Sequence, residues 1–205
     1  NIPDIRDPLA IKFPEYLLIE LSSGHQDNDL RTTLEELLDK AMVDGIIYDA
    51  SLAENEGQAK NFWRLRESIP EAQMLEGPTI KHDISVPISN IPLFLSRANK
   101  AVEKEMSGLD VCAFGHIGDG NVHYNVSSPR YIGVKKFFDN SEIITRVIHD
   151  IAVSLGGSIS AEHGIGMSKR KELYLYKHPT ALEIMHSVKS AIDPQGIMNP
   201  GKVLY

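Results

Sequence analysis

Apolar positions along the chain change period several times, and each change marks an expected element. Residues 16–21 (YLLIEL) and 45–48 (GIIY) are short apolar runs rich in strand formers, and their composition predicts strands. Between them Leu30, Leu34, Leu37, Leu38 and Ala41 recur at helical spacing with acidic residues on the opposite side. A second helical stretch covers about 54–69. It leads to an alternating run at 80–86, where Ile80, His82, Ile84 and Val86 interleave with Lys81, Asp83 and Ser85. Pro87 should end that strand. Asn90 is placed to cap a helix carrying Ile91, Phe94, Leu95, Ala98 and Val102 on one side and stopping near Gly108. Two strands then follow closely, at 111–116 and 122–126. Ile144, Val147, Ile148, Ile151 and Leu155 mark an amphipathic helix closed by Gly156 and Gly157, and shorter helices are expected at 170–176 and 181–192. Pro194, Gly196, Pro200 and Gly201 break the tail, so 193–205 is expected to lie extended over a surface. Together these elements predict an α+β fold, ferredoxin-like, with a mostly antiparallel sheet, helices on one face and a C-terminal helical segment.

Composition narrows the function classes. The 205 residues suffice for one sizeable core. With 42% hydrophobic and 24% charged residues, the chain has the balance of a folded globular domain. A net charge of −7 and the lack of a basic stripe argue against nucleic acid. Focused cations could still bind a small anion. No apolar run approaches the ~18 residues of a transmembrane segment. Residues 1–9 show neither the basic nor the apolar region of a signal peptide, and a start at Asn1 is expected of a processed chain or a piece of a longer one. The single cysteine, Cys112, sits in an apolar run as a small hydrophobe, which fits an intracellular, reducing compartment.

The chemistry concentrates in GHIGDGNVHYN, residues 115–125. Asp119-Gly120 is a signal for a two-residue hairpin turn. Counted outward from it, Gly118 faces Asn121, Ile117 faces Val122, and His116 faces His123. Opposed residues share a sheet face with Cβ atoms ~4.5–5.5 Å apart, so two imidazoles could hold one metal. Asn125 falls on the same face, while Val122, Tyr124 and Val126 turn into a core. SAEHGIGM, residues 160–167, can deliver Glu162 as a third ligand, completing a His₂Glu set with an open coordination position. His163 beside it is free to act as a base. Imidazole and carboxylate without a CxxC favour zinc among divalent metals. From the residues alone, plain structural roles stay open: sheet-decorating histidines, Arg66 paired with a glutamate on its helix, and Lys81 paired with Asp83 across one strand face.

These segments resemble the C-terminal domain of FAD-linked 2-hydroxyacid dehydrogenases, a family that includes D-lactate dehydrogenases, D-2-hydroxyglutarate dehydrogenases and the flavin subunit of glycolate oxidase. The matching stretches are WRLRES (63–68), IKHDISVP (80–87), GHIGDGNVHYNV (115–126), GGSISAEHGIGMSKR (156–170) and DPQGIMNPGK (193–202), in family order. The resemblance implies a metal, most readily Zn²⁺, on His116, His123 and Glu162. It implies substrate contacts from Arg66, Lys81 and Asn125, with His163 as catalytic base and Asn199 beside the flavin. It also implies that 1–205 is the substrate-binding domain of a longer protein. Its partners would be a small 2-hydroxy acid, an FAD-binding domain of the same polypeptide and a further electron acceptor. The domain alone is not expected to turn over substrate. Where some relatives carry a hydroxylated residue shortly after the arginine, this chain has Ile69-Pro70, which bears on which acid is bound.

The chemistry implied is oxidation of a 2-hydroxy acid to a 2-oxo acid. His163 takes the hydroxyl proton, the metal stabilises the developing charge, and the α-hydrogen passes as hydride to FAD. Two rival readings share the same residues. A metal-dependent hydrolase would use the His₂Glu set to activate water. A non-catalytic ferredoxin-like interaction module would hold no stoichiometric metal.

Overall fold

The computed structural model describes residues 2–25, 29–129 and 133–205. They fall into two compact units, Asn1–Leu75 and Glu76–Tyr205.

The first unit is helical. Helix α1 (Leu30–Val43) starts where the Asp29 carboxylate accepts the Thr32 N–H, and α2 (Glu56–Glu67) where the Asn55 side chain accepts the Gln58 N–H. A third helix, α3 (Ile69–Glu76), follows with Pro70 in its first turn, where the missing N–H costs nothing. The strands expected at 16–21 and 45–48 do not form among the described residues. A strand is stable only when a neighbour completes its ladder, and this unit offers none. Leu17, Ile19, Ile46 and Tyr48 are accordingly exposed. Within 16–21 the Glu20 carboxylate instead accepts the Trp63 indole N–H on α2, and upstream of it Phe13 stacks on Tyr48 at 6.3 Å between centroids.

The second unit holds the core and the sheet. Short strands β1 (Thr79–Ile80) and β2 (Asp83–Ser85) pair with successive parts of one edge of the central strand β4 (Asn121–Ser127). Strand β3 (Asp110–His116) pairs antiparallel with its other edge. Ile80, Ile84, Val122, Tyr124 and Val126 point to one side and are buried. Helix α4 (Ile91–Glu105) lays Phe94, Ala98 and Val102 there, and α6 (Ser141–Ser154) adds Ile144, Ile148 and Ala152. Helix α5 (Val134–Asp139), which the periodicity did not announce, buries Phe137 in the same cluster. The expected α+β layering is therefore present, with helices on one sheet face and the other face left for chemistry.

Two local expectations are corrected. Asn90 precedes α4 but makes no capping bond. Its amide instead donates to the Leu155 carbonyl, joining the start of α4 to the end of α6. The tail after α7 (Arg170–Tyr176) and α8 (Pro179–Ile192) is looped rather than extended. Asp193 accepts the Ile197 and Met198 N–H groups, and Val203 N–H reaches the Gly166 carbonyl at 2.8 Å. Those local bonds satisfy the backbone more cheaply than an unsupported extended strand would. No helix among the described residues is long and apolar enough to cross a membrane.

Candidate active site

The hairpin register differs from the expected one by two residues. His116 stands opposite Asn121, and His123 opposite Phe114. The connection is a four-residue turn, 117–120, in which the Gly120 N–H reaches back to the Ile117 carbonyl at 3.4 Å. Gly120 has φ 76°, whereas Asp119 is not among the residues with positive φ. A two-residue type I′ turn needs positive φ at both centres, so the chain takes a longer loop of the kind built on a type I turn. Asp119 stabilises this loop by accepting the Asn121 N–H at 3.0 Å. Because side chains alternate with period two, a shift of two keeps His116, His123 and Asn125 on one face.

The other edge of β4 adds to that face. Asp83 pairs with His123 and Ser85 with Asn121. The 157–163 segment then runs along β2. Ser85 and Ser158 exchange backbone bonds of 3.0 and 2.8 Å, and the Ala161 N–H reaches the Asp83 carbonyl. A Cβ on Gly157 would lie 2.1 Å from the Ser85 carbonyl oxygen, so only glycine lets the segment approach this closely. Lys169 fastens it from behind by donating to the Ile159 carbonyl at 3.0 Å, and burial lowers that ammonium's pKa. This path carries Glu162 and His163 over the sheet.

One Glu162 oxygen lies 3.4 Å from His116 Nδ1 and the other 3.5 Å from His123 Nε2. The two contacts run to different oxygens of Glu162, so each imidazole lies within ion-pairing distance of that carboxylate. His123 is the sheltered member at 16% side-chain exposure, and His116 the open one at 60%. Among the described residues, the group whose ligand atoms all lie within 4.8 Å of one another is Asp83, His123 and Glu162, which leaves out His116. Asp83 is otherwise engaged: Oδ2 accepts the Glu162 and His163 N–H groups at 2.9 and 2.8 Å, and Oδ1 accepts the Asn121 amide at 3.0 Å.

The other expected residues fall in several elements. Asn125 is buried, its Oδ1 accepting the His82 N–H at 3.3 Å, which fixes the amide orientation. Lys81 is exposed on β2's approach and, among the described residues, makes no ion pair with Asp83. A surface pair is precluded because Asp83 is only 2% exposed and faces the interior of the cluster. His163 is open to solvent, with its Nδ1 3.5 Å from Asp83 Oδ2. Arg66 lies half-buried in the last turn of α2, in the first unit. Asn199 is exposed in the tail loop at φ 46°. Cys112 pairs with Asn125 across the sheet, and burial pushes its thiol pKa up. The residue that sequence reading missed is Asp83, whose only signal was its alternation with buried neighbours at 80–86.

Comparison with known proteins agrees with the segments that carry this cluster. The model of the family described as FAD linked oxidases, C-terminal domain, matches residues 6–203. A D-2-hydroxyglutarate dehydrogenase of Stutzerimonas stutzeri is 34% identical over 202 residues, covering 98% of this chain and 42% of that protein. The mitochondrial D-2-hydroxyglutarate dehydrogenase of Arabidopsis thaliana is 34% identical over 100% of this chain and 35% of its own length. That of Danio rerio is 35% identical over 93% of this chain and 34% of its own length. The chain thus spans between a third and a half of these relatives. An antiparallel sheet with helices on one face, a histidine- and carboxylate-lined opposite face, and a match along nearly the whole length lead to one conclusion: the chain belongs to the FAD-linked oxidase C-terminal domain family.

Proposed function

We propose that this domain binds the substrate and a divalent metal in a flavin-dependent dehydrogenase that oxidises D-2-hydroxyglutarate, or a close 2-hydroxy dicarboxylate, to its 2-oxo acid. The observation that carries the reading is Glu162 held 3.4 and 3.5 Å from the imidazoles of His116 and His123 on a sheet face that also bears Asn125. The name shared by the relatives supports the choice of substrate.

Each residue has a role that follows from its chemistry. Arg66 offers a planar donor fork and Lys81 a point charge, matching the carboxylates of such an acid. Asn125 offers an amide to the polar groups near the reacting carbon. His163, open to solvent at 65% side-chain exposure, takes the α-hydroxyl proton. His116, His123 and Glu162 would hold the metal, preferably zinc, and Asn199 would lie near the flavin. When bound, the metal supplies Lewis-acid stabilisation of negative charge on the hydroxyl oxygen, and FAD accepts the hydride. The family match leaves a hydrolase or a non-catalytic module without support, although the metal donor set alone would suit the former.

Elemental analysis of the purified full-length protein that contains this domain, beside its His116→Ala and His123→Ala variants, tests the reading. Near-stoichiometric zinc is expected in the parent and loss of most of it in both variants, together with loss of D-2-hydroxyglutarate oxidation. Equal metal content in all three proteins would overturn the assignment.

A further inference from the structure

Asp83 is a buried carboxylate to which the reading above gives neither a metal nor a substrate. It sits opposite His123 in the sheet at 2% exposure. Burying an ionised carboxylate costs several kcal/mol unless its oxygens are satisfied. Three donors from two chain segments meet it: the Asn121 amide, the Glu162 N–H and the His163 N–H, all within 2.8–3.0 Å. Two imidazoles also face it through Nδ1, His163 at 3.5 Å and His123 at 3.9 Å. Burial pushes the Asp83 carboxyl up, but the backbone donors, the His163 ring and the Asn121 amide together outweigh it. The group settles below its ordinary pKa.

We propose that Asp83 is the positioning residue of the site, fastening the Glu162–His163 turn to the sheet and holding both imidazoles with Nδ1 inward. A neutral imidazole beside a carboxylate carries its proton on the facing nitrogen. For His163 that leaves Nε2 as the basic nitrogen offered to substrate. For His123 it leaves Nε2, which already faces Glu162 at 3.5 Å, as the nitrogen offered to metal. One carboxylate therefore sets the loop and sorts the nitrogens of two rings. The claim rests on the dehydrogenase reading for the roles of His163 as base and His123 as metal ligand.

Asp83→Asn separates charge from shape. The new amide oxygen can accept both backbone N–H groups. Its NH₂ can be met by Asn121 turning its amide over to present Oδ1, an atom buried without a hydrogen-bond partner among the described residues. The variant keeps the packing and loses the negative charge. In the full-length protein that contains this domain, loaded with FAD and zinc, three quantities are read: kcat and KM for D-2-hydroxyglutarate, imidazole ¹⁵N shifts of His163 (assigned with His163→Gln), and amide exchange over 158–166. In the parent, His163 should be chiefly the Nδ1–H tautomer, and the Glu162 and His163 amides should exchange slowly. Asp83→Asn should lower kcat about 10–100-fold with little change in KM, shift His163 toward Nε2–H, and leave exchange and zinc content near parental. Asp83→Ala should speed exchange in the turn and lower zinc content. A parent with Nε2–H His163 or fast-exchanging Glu162 and His163 amides overturns the proposal without any variant. Parental kcat and tautomer in Asp83→Asn overturn it as well. If the parent fails to oxidise the acid, the substrate reading fails, while the tautomer and exchange measurements still decide the role of Asp83.

Discussion

Gly120 packs against Val86 so closely that a Cβ on it would lie 2.0 Å from the Val86 carbonyl oxygen. The Val86 N–H in turn donates to the Gly120 carbonyl at 3.0 Å, tying the turn between β3 and β4 to the end of β2. With φ 76° as well, this position combines a close approach and a left-handed backbone. Gly120→Ala should therefore lower the unfolding free energy by about 2 kcal/mol or more, read as a drop in the urea midpoint. Gly118, two residues earlier, has no neighbour within 4 Å of an added Cβ among the described residues. Gly118→Ala should stay within about 0.5 kcal/mol of the parent. Equal effects at the two positions would show that the approach to Val86 is not what fixes the turn.

Behind the sheet, His82 and His149 form a buried pair with rings 5.9 Å apart and perpendicular. Burial lowers the pKa of each to about 4, with Lys169 pushing the same way on both and His82 adding to the effect on His149. For His82, the bond from its ring to the Tyr124 carbonyl opposes the shift. For His149, Asp150 opposes it and Arg146 adds to it. Because the folded values lie below the unfolded value near 6.5, the unfolded chain binds more protons at intermediate pH. The stability contributed by each neutral ring is full above about pH 6.5 and is lost as pH falls toward 4. For His82 alone this amounts to roughly 3 kcal/mol.

His149 isolates the effect, since neither of its ring nitrogens has a hydrogen-bond partner among the described residues. His149→Phe keeps an aromatic ring between His82 and Tyr176 and removes the site of protonation. Its urea midpoint should match or exceed the parent's at pH 7 and should fall less between pH 7 and pH 5. An unchanged or steeper pH dependence would count against protonation of His149 as a source of acid lability.

Asp193 gathers the tail. Its carboxylate accepts the Ile197 N–H at 3.0 Å, the Met198 N–H at 2.9 Å and the Lys189 ammonium. The bond from Lys189 is the main reason its carboxyl is held below the usual carboxylate range; burial opposes it, and the two backbone bonds act with Lys189. Asp193→Ala should speed proteolytic cleavage within 194–205 while the global melting temperature changes little, because these contacts are local to the end of α8. A large loss of global stability with the tail still protected would contradict that picture.

The alternation of residues along 80–86 and 111–126 determined by itself which side chains share a sheet face, and a two-residue slip in register left that parity intact. Helices α4 and α6 were legible because their apolar residues repeat at one period over several turns. The strands expected at 16–21 and 45–48 were not decided by composition, since a strand exists only where a second backbone completes its hydrogen bonds. Tertiary structure alone chose the four-residue turn, through the backbone angle of Asp119 and the approach of Gly120 to Val86. It alone brought Glu162 to the histidines and made Asp83 a partner of residues 79 and 80 positions away. Local sequence encodes periodicity. The satisfaction of a buried charge is set by groups that meet only when distant segments fold together.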